Sequence, residues 1–184
     1  MGGEASDGGA PAYRPYVASD ELGAARMIVA SMPGATIEGA SGFLRAMEQD
    51  ERASVYVAPE TGELVALYVL RKNGLATDLL LIVVDQDADP AIGLERLAVR
   101  DAATRIGKRP LTVETSERAL EWYKSLGFKL VGKRKKPDGS LGYRLGWHAP
   151  RPGQATAGAD GPIEPCPEPG SLLGQQLADG KGQA

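Results

Sequence analysis

Residues 109–148 read RPLTVETSERALEWYKSLGFKLVGKRKKPDGSLGYRLGWH. The segment 111–115 is short and rich in β-branched residues, and apolar residues then recur at helical spacing over 116–126. Gly127 follows, and glycine ends a helix easily because it adopts the left-handed conformation without strain. Two alternating segments come next, separated by the turn Pro137–Gly139. The stretch predicts a strand, a helix and a β-hairpin.

The helix of this stretch has clear signals at its start and on its inner face. We predict Ser116 as the N-cap, with its hydroxyl accepting a backbone N–H of the first turn. The apolar residues Ala119, Trp122, Tyr123 and Leu126 share one face. Tyr123 is therefore expected to point towards the protein interior.

The composition limits what the protein can be. Its 184 residues are 42% apolar with a net charge of −3, so we expect one domain with a hydrophobic core and no general attraction to nucleic acid. A single cysteine, Cys166, and a single histidine, His148, argue against a disulfide framework and a metal site. We find no secretory signal, because the first residues, MGGEASDGG, have neither a basic region nor an apolar core. We also find no membrane span, because the apolar run 75–84 is strand-sized and broken by Asp78. A cytoplasmic protein is expected.

The predicted order of elements along the chain is β-α-α-β-β-β-α-β-α-β-β. Before the opening stretch, we predict strands at 13–18, 53–58, 64–71 and 75–84, and helices between 19 and 32, 37 and 49, and 90 and 106. Asp101 and Arg105 interrupt the apolar arc of the third helix. The tails, residues 1–12 and 149–184, have the composition of disordered segments, which leaves one domain at 13–148.

The pattern S-x-x-A-x-x-W-Y-x-x-x-G-F at residues 116–128 resembles the end of the GNAT (GCN5-related N-acetyltransferase) domain. Ala119, Tyr123, Gly127 and Phe128 match the family pattern, and Ser116 stands where the family usually has Asn. The order of elements also agrees with that family. The resemblance implies an α/β (α+β) fold, with a mixed central sheet and helices on both faces.

The resemblance implies that the protein transfers an acetyl group from acetyl-CoA to a primary amine of a small molecule or a protein. In the family the pantetheine arm lies against an exposed strand end, and backbone N–H groups at the start of the long helix hold the pyrophosphate. The implied cofactor-binding residues are Val83, Val84, Ala91, Ile92, Gly93 and Ser116.

Tyr123 occupies the family position of the general acid. A phenol with an ordinary pKa near 10 can protonate a departing thiolate, whose thiol has an ordinary pKa near 8.5. The alternative is that Tyr123 is only a core residue, like Trp122 beside it. For the general base we name Asp78, with Glu63 and Glu114 as further candidates; each could equally be a solvated carboxylate, and water could carry the proton.

The phosphate loop departs from the family pattern [QR]-x-x-G-x-[GA]. Aligned on its last glycine, residues 88–93 read ADPAIG, so Ala88 replaces the basic or amide residue and Ala91 replaces the middle glycine. Acidic residues at 85, 87 and 89 would repel a pyrophosphate. Asp89-Pro90 could simply be the N-cap and first residue of the helix. An alternative function therefore stays open: a non-catalytic GNAT-fold binding or assembly module that has lost acetyl-CoA binding.

The basic run Lys133–Lys136 has two interpretations. It could contact an acidic partner or the 3′-phosphate of CoA, or it could be a solvated hairpin tip that protects an edge strand. Few aromatic residues accompany it, so nucleic acid is not a favoured partner. The sequence leaves a homodimer open and does not specify the amine acceptor.

Overall fold

A computed structural model describes residues 11–88, 93–137 and 139–148. The elements, in chain order, are β1 (Arg14–Pro15), a 3₁₀ helix (Ala18–Asp20), α1 (Glu21–Ser31), α2 (Ile37–Gln49), β2 (Ala53–Glu60), β3 (Glu63–Asn73), β4 (Ala76–Val84), α3 (Leu94–Ile106), β5 (Leu111–Thr115), α4 (Glu117–Ser125), β6 (Lys129–Lys135) and β7 (Leu141–Trp147). This order confirms the predicted one. The first strand is shorter than predicted, because the chain turns into the 3₁₀ helix after two paired residues.

The strands form one mixed sheet in the order β1-β2-β3-β4-β5-β7-β6. β4 and β5 pair in parallel, joined through the crossover that contains α3, and the other neighbours are antiparallel. In the hairpin formed by β6 and β7, strand β7 lies between β5 and β6, which leaves β6 at the edge of the sheet. The α/β fold class with a mixed central sheet is confirmed.

Helices cover both faces of the sheet. Side chains of α1 and α2, including Ile28 and Leu44, pack against one face, on Leu67 and its neighbours in the sheet. Side chains of α3 and α4 pack against the other face, in a second core cluster that contains Ala98 and Trp122. The sheet is thus buried on both faces at its centre, as the continuous apolar run of β4 predicts.

The polar residues that interrupt the apolar arc of α3 have partners on the sheet. The Tyr68 hydroxyl donates a hydrogen bond to the Asp101 carboxylate, and the Arg105 Nε lies 2.6 Å from the same carboxylate. The Arg105 guanidinium also stacks on the Tyr56 ring, 4.2 Å from its centroid. These contacts fix the position of α3 over β2 and β3, so Asp101 and Arg105 complete its packing rather than disrupt it.

β4 contains a β-bulge at Leu80. Val69 pairs with Leu81 and Leu70 pairs with Leu79, so Leu80 has no partner on β3. A bulge bends its strand and increases the local twist. Pairing of β4 with β5 stops at Asp78, two residues before the bulge.

The β6–β7 hairpin closes where the sequence predicts it. The Lys136 N–H donates to Ser140 at 2.8 Å, and Gly139 has the positive φ of 85° that its turn position requires. The basic run 133–136 lies on the exposed edge strand and in the turn.

Several predictions fall outside the described residues. These are both predicted tails apart from residues 11 and 12, the turn residue Asp138, Cys166, and the loop segment 89–92 with its predicted helix start. No helix in the described part of the chain is both long and apolar enough to span a membrane.

Candidate active site

The two parallel strands at the centre of the sheet form a V. Residue pairs Thr77–Leu111 and Asp78–Thr112 join β4 to β5, and beyond them no residue of β4 has a partner in β5 within the described chain. β3 continues to pair with β4 as far as Val84. The backbone groups that this part of β4 turns away from β3 therefore face an opening rather than another strand.

Val83 and Val84 lie on β4 at the open end of the V. The Val83 side chain is 1% exposed and packs in the core beneath α1 and α2, while the Val84 side chain packs on the opposite face. Both side chains are thus packed in the protein core and cannot contact a ligand in the opening. The backbone N–H and C=O groups at the edge of the strand can, and they suit the amides of an extended chain.

Gly93 immediately precedes α3, at the same end of the sheet. Its φ of 64° and ψ of 49° are left-handed angles that glycine adopts without strain, and its carbonyl accepts the first-turn N–H of Leu97 at 3.1 Å. The predicted cofactor residues Ala91 and Ile92 lie outside the described residues. In the loop before them, the Asp85 carboxylate accepts the backbone N–H of Asp87 at 3.0 Å.

Ser116 occupies the N-cap of α4 with the extended backbone angles of a cap, φ −83° and ψ 172°. The predicted side-chain cap hydrogen bond is absent, so that part of the prediction is wrong. The chain turns from β5 into α4 at this residue, which places Ser116 at the open end of the V.

Tyr123 lies on the inner face of α4, as predicted, with 3% of its surface exposed. Its ring packs edge-to-face against Trp122 (centroids 4.7 Å apart) and against Phe128 (5.5 Å). It belongs to the core cluster between α3, α4 and the sheet. The ring is therefore held rigidly, seven residues or about 10 Å along the helix from Ser116.

Asp78 lies at the closed end of the V. Its carboxylate accepts hydrogen bonds from the Thr112 hydroxyl and from Asn73 Nδ2 (2.8 Å), and an Arg144 nitrogen lies 3.7 Å away. Val83 lies five positions after Asp78 along the strand, about 17 Å away at 3.3 Å per residue. The structure therefore does not bring Asp78 together with the residues of the open end.

Glu114 lies one residue before the end of β5. Because side chains alternate along a strand and Val113 packs beneath α3 and α4, Glu114 projects from the opposite face. It is partly exposed, and its carboxylate lies 3.6 Å from Arg134. Of the three candidate bases, Glu114 is the one near the open end of the V; Asp78 lies at the closed end, and Glu63 begins β3, the next strand beyond β4.

Thr115 carries a feature that the sequence analysis missed. It is the last residue of β5 and is 2% exposed, and its hydroxyl has no hydrogen-bond partner among the described residues. The buried indole N–H of Trp122 also has none. Leaving a buried hydroxyl unpaired costs about 1–3 kcal/mol, so the Thr115 hydroxyl is a candidate partner for a ligand in the opening. A threonine at the junction of a strand and a helix was the available sequence signal.

The candidate site is thus built from a strand edge, a helix start, and polar groups at the end of β5. The described residues contain no group of three or more His, Cys, Asp or Glu side chains arranged to hold a metal ion. A free strand edge and an unpaired buried hydroxyl fit the hydrogen-bonding groups of a pantetheine arm. Residues 89–92 of the expected diphosphate loop, 88–93, lie outside the described residues.

The sequence matches no protein-family model and no curated protein sequence. The fold, in contrast, is shared with solved acetyltransferases. The aminoglycoside 6′-N-acetyltransferase from Enterococcus faecium is 14% identical, with a TM-score of 0.61 over 77% of this chain and 99% of that one. The ribosomal-protein-S18-alanine N-acetyltransferase from Escherichia coli is 18% identical, with a TM-score of 0.59 over 78% and 96% of the two chains.

A GNAT family acetyltransferase from Elizabethkingia anophelis, solved with acetyl-CoA bound, is 15% identical and has a TM-score of 0.54 over 76% of this chain and 98% of that one. The chain therefore has the GNAT fold, which confirms the architecture that the resemblance implied.

Proposed function

We propose that the protein is an acetyl-CoA-dependent N-acetyltransferase that acts on a primary amine of a small molecule or a protein. The observation that carries the proposal is the V between β4 and β5, whose open end combines an unpaired strand edge with the unpaired buried hydroxyl of Thr115. Structural neighbours solved with coenzyme A or acetyl-CoA support the choice of cofactor.

Different residues around the opening would bind different parts of the cofactor. The backbone edge at Val83 and Val84 would hold the amides of the pantetheine arm, and the Thr115 hydroxyl and Ser116 would border it on the β5 side. The N-terminus of α3, with Gly93 and the preceding Ala91 and Ile92, would hold the diphosphate. Acetyl-CoA supplies an activated acyl group on a thiol leaving group.

In this proposal, one side chain on each face of the sheet carries out a proton transfer. Glu114, on the face of α1 and α2, accepts a proton from the acceptor ammonium. Tyr123, on the face of α3 and α4, donates its hydroxyl proton to the leaving thiolate. This arrangement lets the amine approach from one face while the thiol departs on the other. Asp78 has a structural role in this proposal, because it holds β4 and β5 together at the closed end of the V.

A second candidate is a GNAT-fold binding or assembly module that has lost its cofactor. The observation that favours it is the acidic loop after β4, where Asp85 and Asp87 precede the start of α3. Carboxylates close to a diphosphate weaken its binding by charge repulsion. In that case the basic run 133–136, which is exposed at residues 133–135, offers a contact for an acidic partner.

Calorimetric titration with acetyl-CoA separates the two candidates. We expect saturable binding, and we expect the complex to acetylate a panel of primary amines, including an aminoglycoside and a peptide with a free N-terminal alanine. Absence of binding heat, together with absence of a thermal shift at saturating cofactor, would reject the enzyme and leave the binding module.

A further inference from the structure

A second concave site lies at the end of the sheet opposite the mouth of the V. It is a cavity of about 230 Å³, bordered by Thr77 at the start of β4 and by Ile106 at the end of α3. Val83 lies six positions after Thr77 along the strand, a distance of about 20 Å. The cavity is therefore separate from the proposed acetyl-transfer site.

The rim of this cavity is strongly basic. Arg52, Lys72, Arg105 and Arg109 line it, and no carboxylate does. The chain as a whole has a net charge of −3, so this cluster of positive charges contrasts with the net negative charge of the protein. Like charges placed around one concave surface repel each other in the absence of an anion.

Two of these cations are available for a ligand. The Arg105 guanidinium is bound to Asp101 and to the Tyr13 carbonyl, and Arg52 lies 3.4 Å from Asp50. The side chains of Lys72 and Arg109, in contrast, form no ion pair or hydrogen bond with the rest of the described chain. Both are exposed, so they can move onto a bound anion without losing a partner.

The floor of the cavity is apolar. Leu70, which is 5% exposed, and the partly buried Tyr56 and Ile106 contribute to its lining. Arg105 lies against the Tyr56 ring and keeps that ring in place. The hydroxyl-bearing residues Ser54 and Thr77 also line the cavity and add hydrogen-bonding capacity. The combination of an apolar floor and a cationic rim suits an amphiphilic anion.

We infer that this cavity is a binding site for a small organic phosphate, with the phosphate group between Lys72 and Arg109 and a compact apolar body against Tyr56, Leu70 and Ile106. A phosphate dianion matches two free cations and accepts charge-assisted hydrogen bonds from both. The volume equals that of about eight water molecules at 30 Å³ each, which accommodates one ring and one phosphate.

Calorimetry with phenyl phosphate at low ionic strength tests this inference, with inorganic phosphate and phenol as the component probes. We expect phenyl phosphate to bind more tightly than either component, and we expect its affinity to fall as salt is added. Lys72→Gln and Arg109→Gln should each weaken it about tenfold. Lys108→Gln, which removes a neighbouring charge outside the cavity, should leave the affinity unchanged.

The remaining arms distinguish this site from the proposed cofactor site. Saturating acetyl-CoA should leave the affinity for phenyl phosphate unchanged, whereas failure of acetyl-CoA itself to bind would count against the proposed function alone. Displacement of phenyl phosphate by acetyl-CoA, equal affinities in the wild type and both cavity variants, or absence of binding heat would each overturn the inference. Equal binding of phenol and phenyl phosphate would overturn it as well.

Discussion

Asp78 and Thr112 form the last residue pair that joins β4 to β5, and the Thr112 hydroxyl donates a hydrogen bond to the Asp78 carboxylate. The opening begins directly beyond this pair, because the bulge at Leu80 bends β4. The pair thus fixes the closed end of the V and, with it, the position of the strand edge that we propose binds the cofactor.

Thr115→Val tests the unpaired hydroxyl at the mouth of the opening. Because the hydroxyl has no partner among the described residues, its removal should leave the free energy of unfolding unchanged or raise it by up to about 1 kcal/mol. The affinity for acetyl-CoA should fall about tenfold, because the ligand loses a hydrogen bond. Urea denaturation and calorimetry measure the two effects.

The matched control for Thr115→Val is Thr112→Val on the same strand. This change removes a hydroxyl that has a partner, so it should lower the free energy of unfolding by about 1–2 kcal/mol. If both variants lose stability equally, the Thr115 hydroxyl forms a hydrogen bond within the protein and is not available to bind a ligand.

Tyr123→Phe tests the proposed general acid. The ring contacts with Trp122 and Phe128 remain, so the fold and the acetyl-CoA affinity should be retained. We expect kcat to fall by about 100-fold or more, the usual contribution of a positioned acid. Tyr143→Phe is the control, since Tyr143 is a buried tyrosine on β7. An unchanged kcat would assign Tyr123 to the core alone.

Glu114→Gln tests the proposed proton acceptor. The side chain is partly exposed and its contact with Arg134 is long, so little stability should be lost. At neutral pH we expect kcat/KM for the amine to fall about 100-fold, while the affinity for acetyl-CoA stays the same. Glu117→Gln, in the first turn of α4, is the control. Equal activity of both variants would favour proton transfer through water.

Gly127→Ala tests the end of α4. Gly127 has a φ of 95°, and an added Cβ would lie 3.3 Å from the Trp147 indole nitrogen. The variant should lose about 1–2 kcal/mol of stability from left-handed strain and crowding. Gly132→Ala on β6 meets no atom within 4 Å and has no positive φ, so its stability should change little. Urea denaturation measures the free energy of unfolding of both variants. An equal loss of stability in the two would show that Gly127→Ala introduces no backbone strain.

Asp20→Asn tests a charge pair at the start of α1. Arg14 donates two hydrogen bonds to Asp20 (2.7 and 2.8 Å) and the Val17 N–H donates a third, which lowers the pKa of the Asp20 carboxyl below its ordinary value. A lowered folded-state pKa contributes stability that is present above the ordinary carboxyl pKa of about 3.9 and is lost as pH falls through the folded-state value.

The wild type should therefore be more stable than Asp20→Asn at neutral pH, and the difference should shrink progressively below about pH 4. Chemical denaturation of both proteins across the acidic range measures it. A difference that stays constant down to the most acidic pH would show that the Asp20 carboxylate contributes through packing rather than through its charge.

Local signals in the sequence determined most of the secondary structure. The bounds of α2, Ile37–Gln49, and of β5, Leu111–Thr115, agree with the prediction, and Gly127 ends α4 as expected. Periodicity, turn residues and glycine conformations act over a few neighbouring residues, so they can be read from the chain directly. The same signals placed Tyr123 on an inner helix face.

Tertiary structure alone decided which distant residues meet. The bulge at Leu80 depends on the register with β3, and the separation of Asp78 from the open end depends on where β4 leaves β5. The partners of Asp101 and the basic cavity join segments that lie tens of residues apart. Such contacts arise from the packing of whole elements against each other, and no local pattern records them.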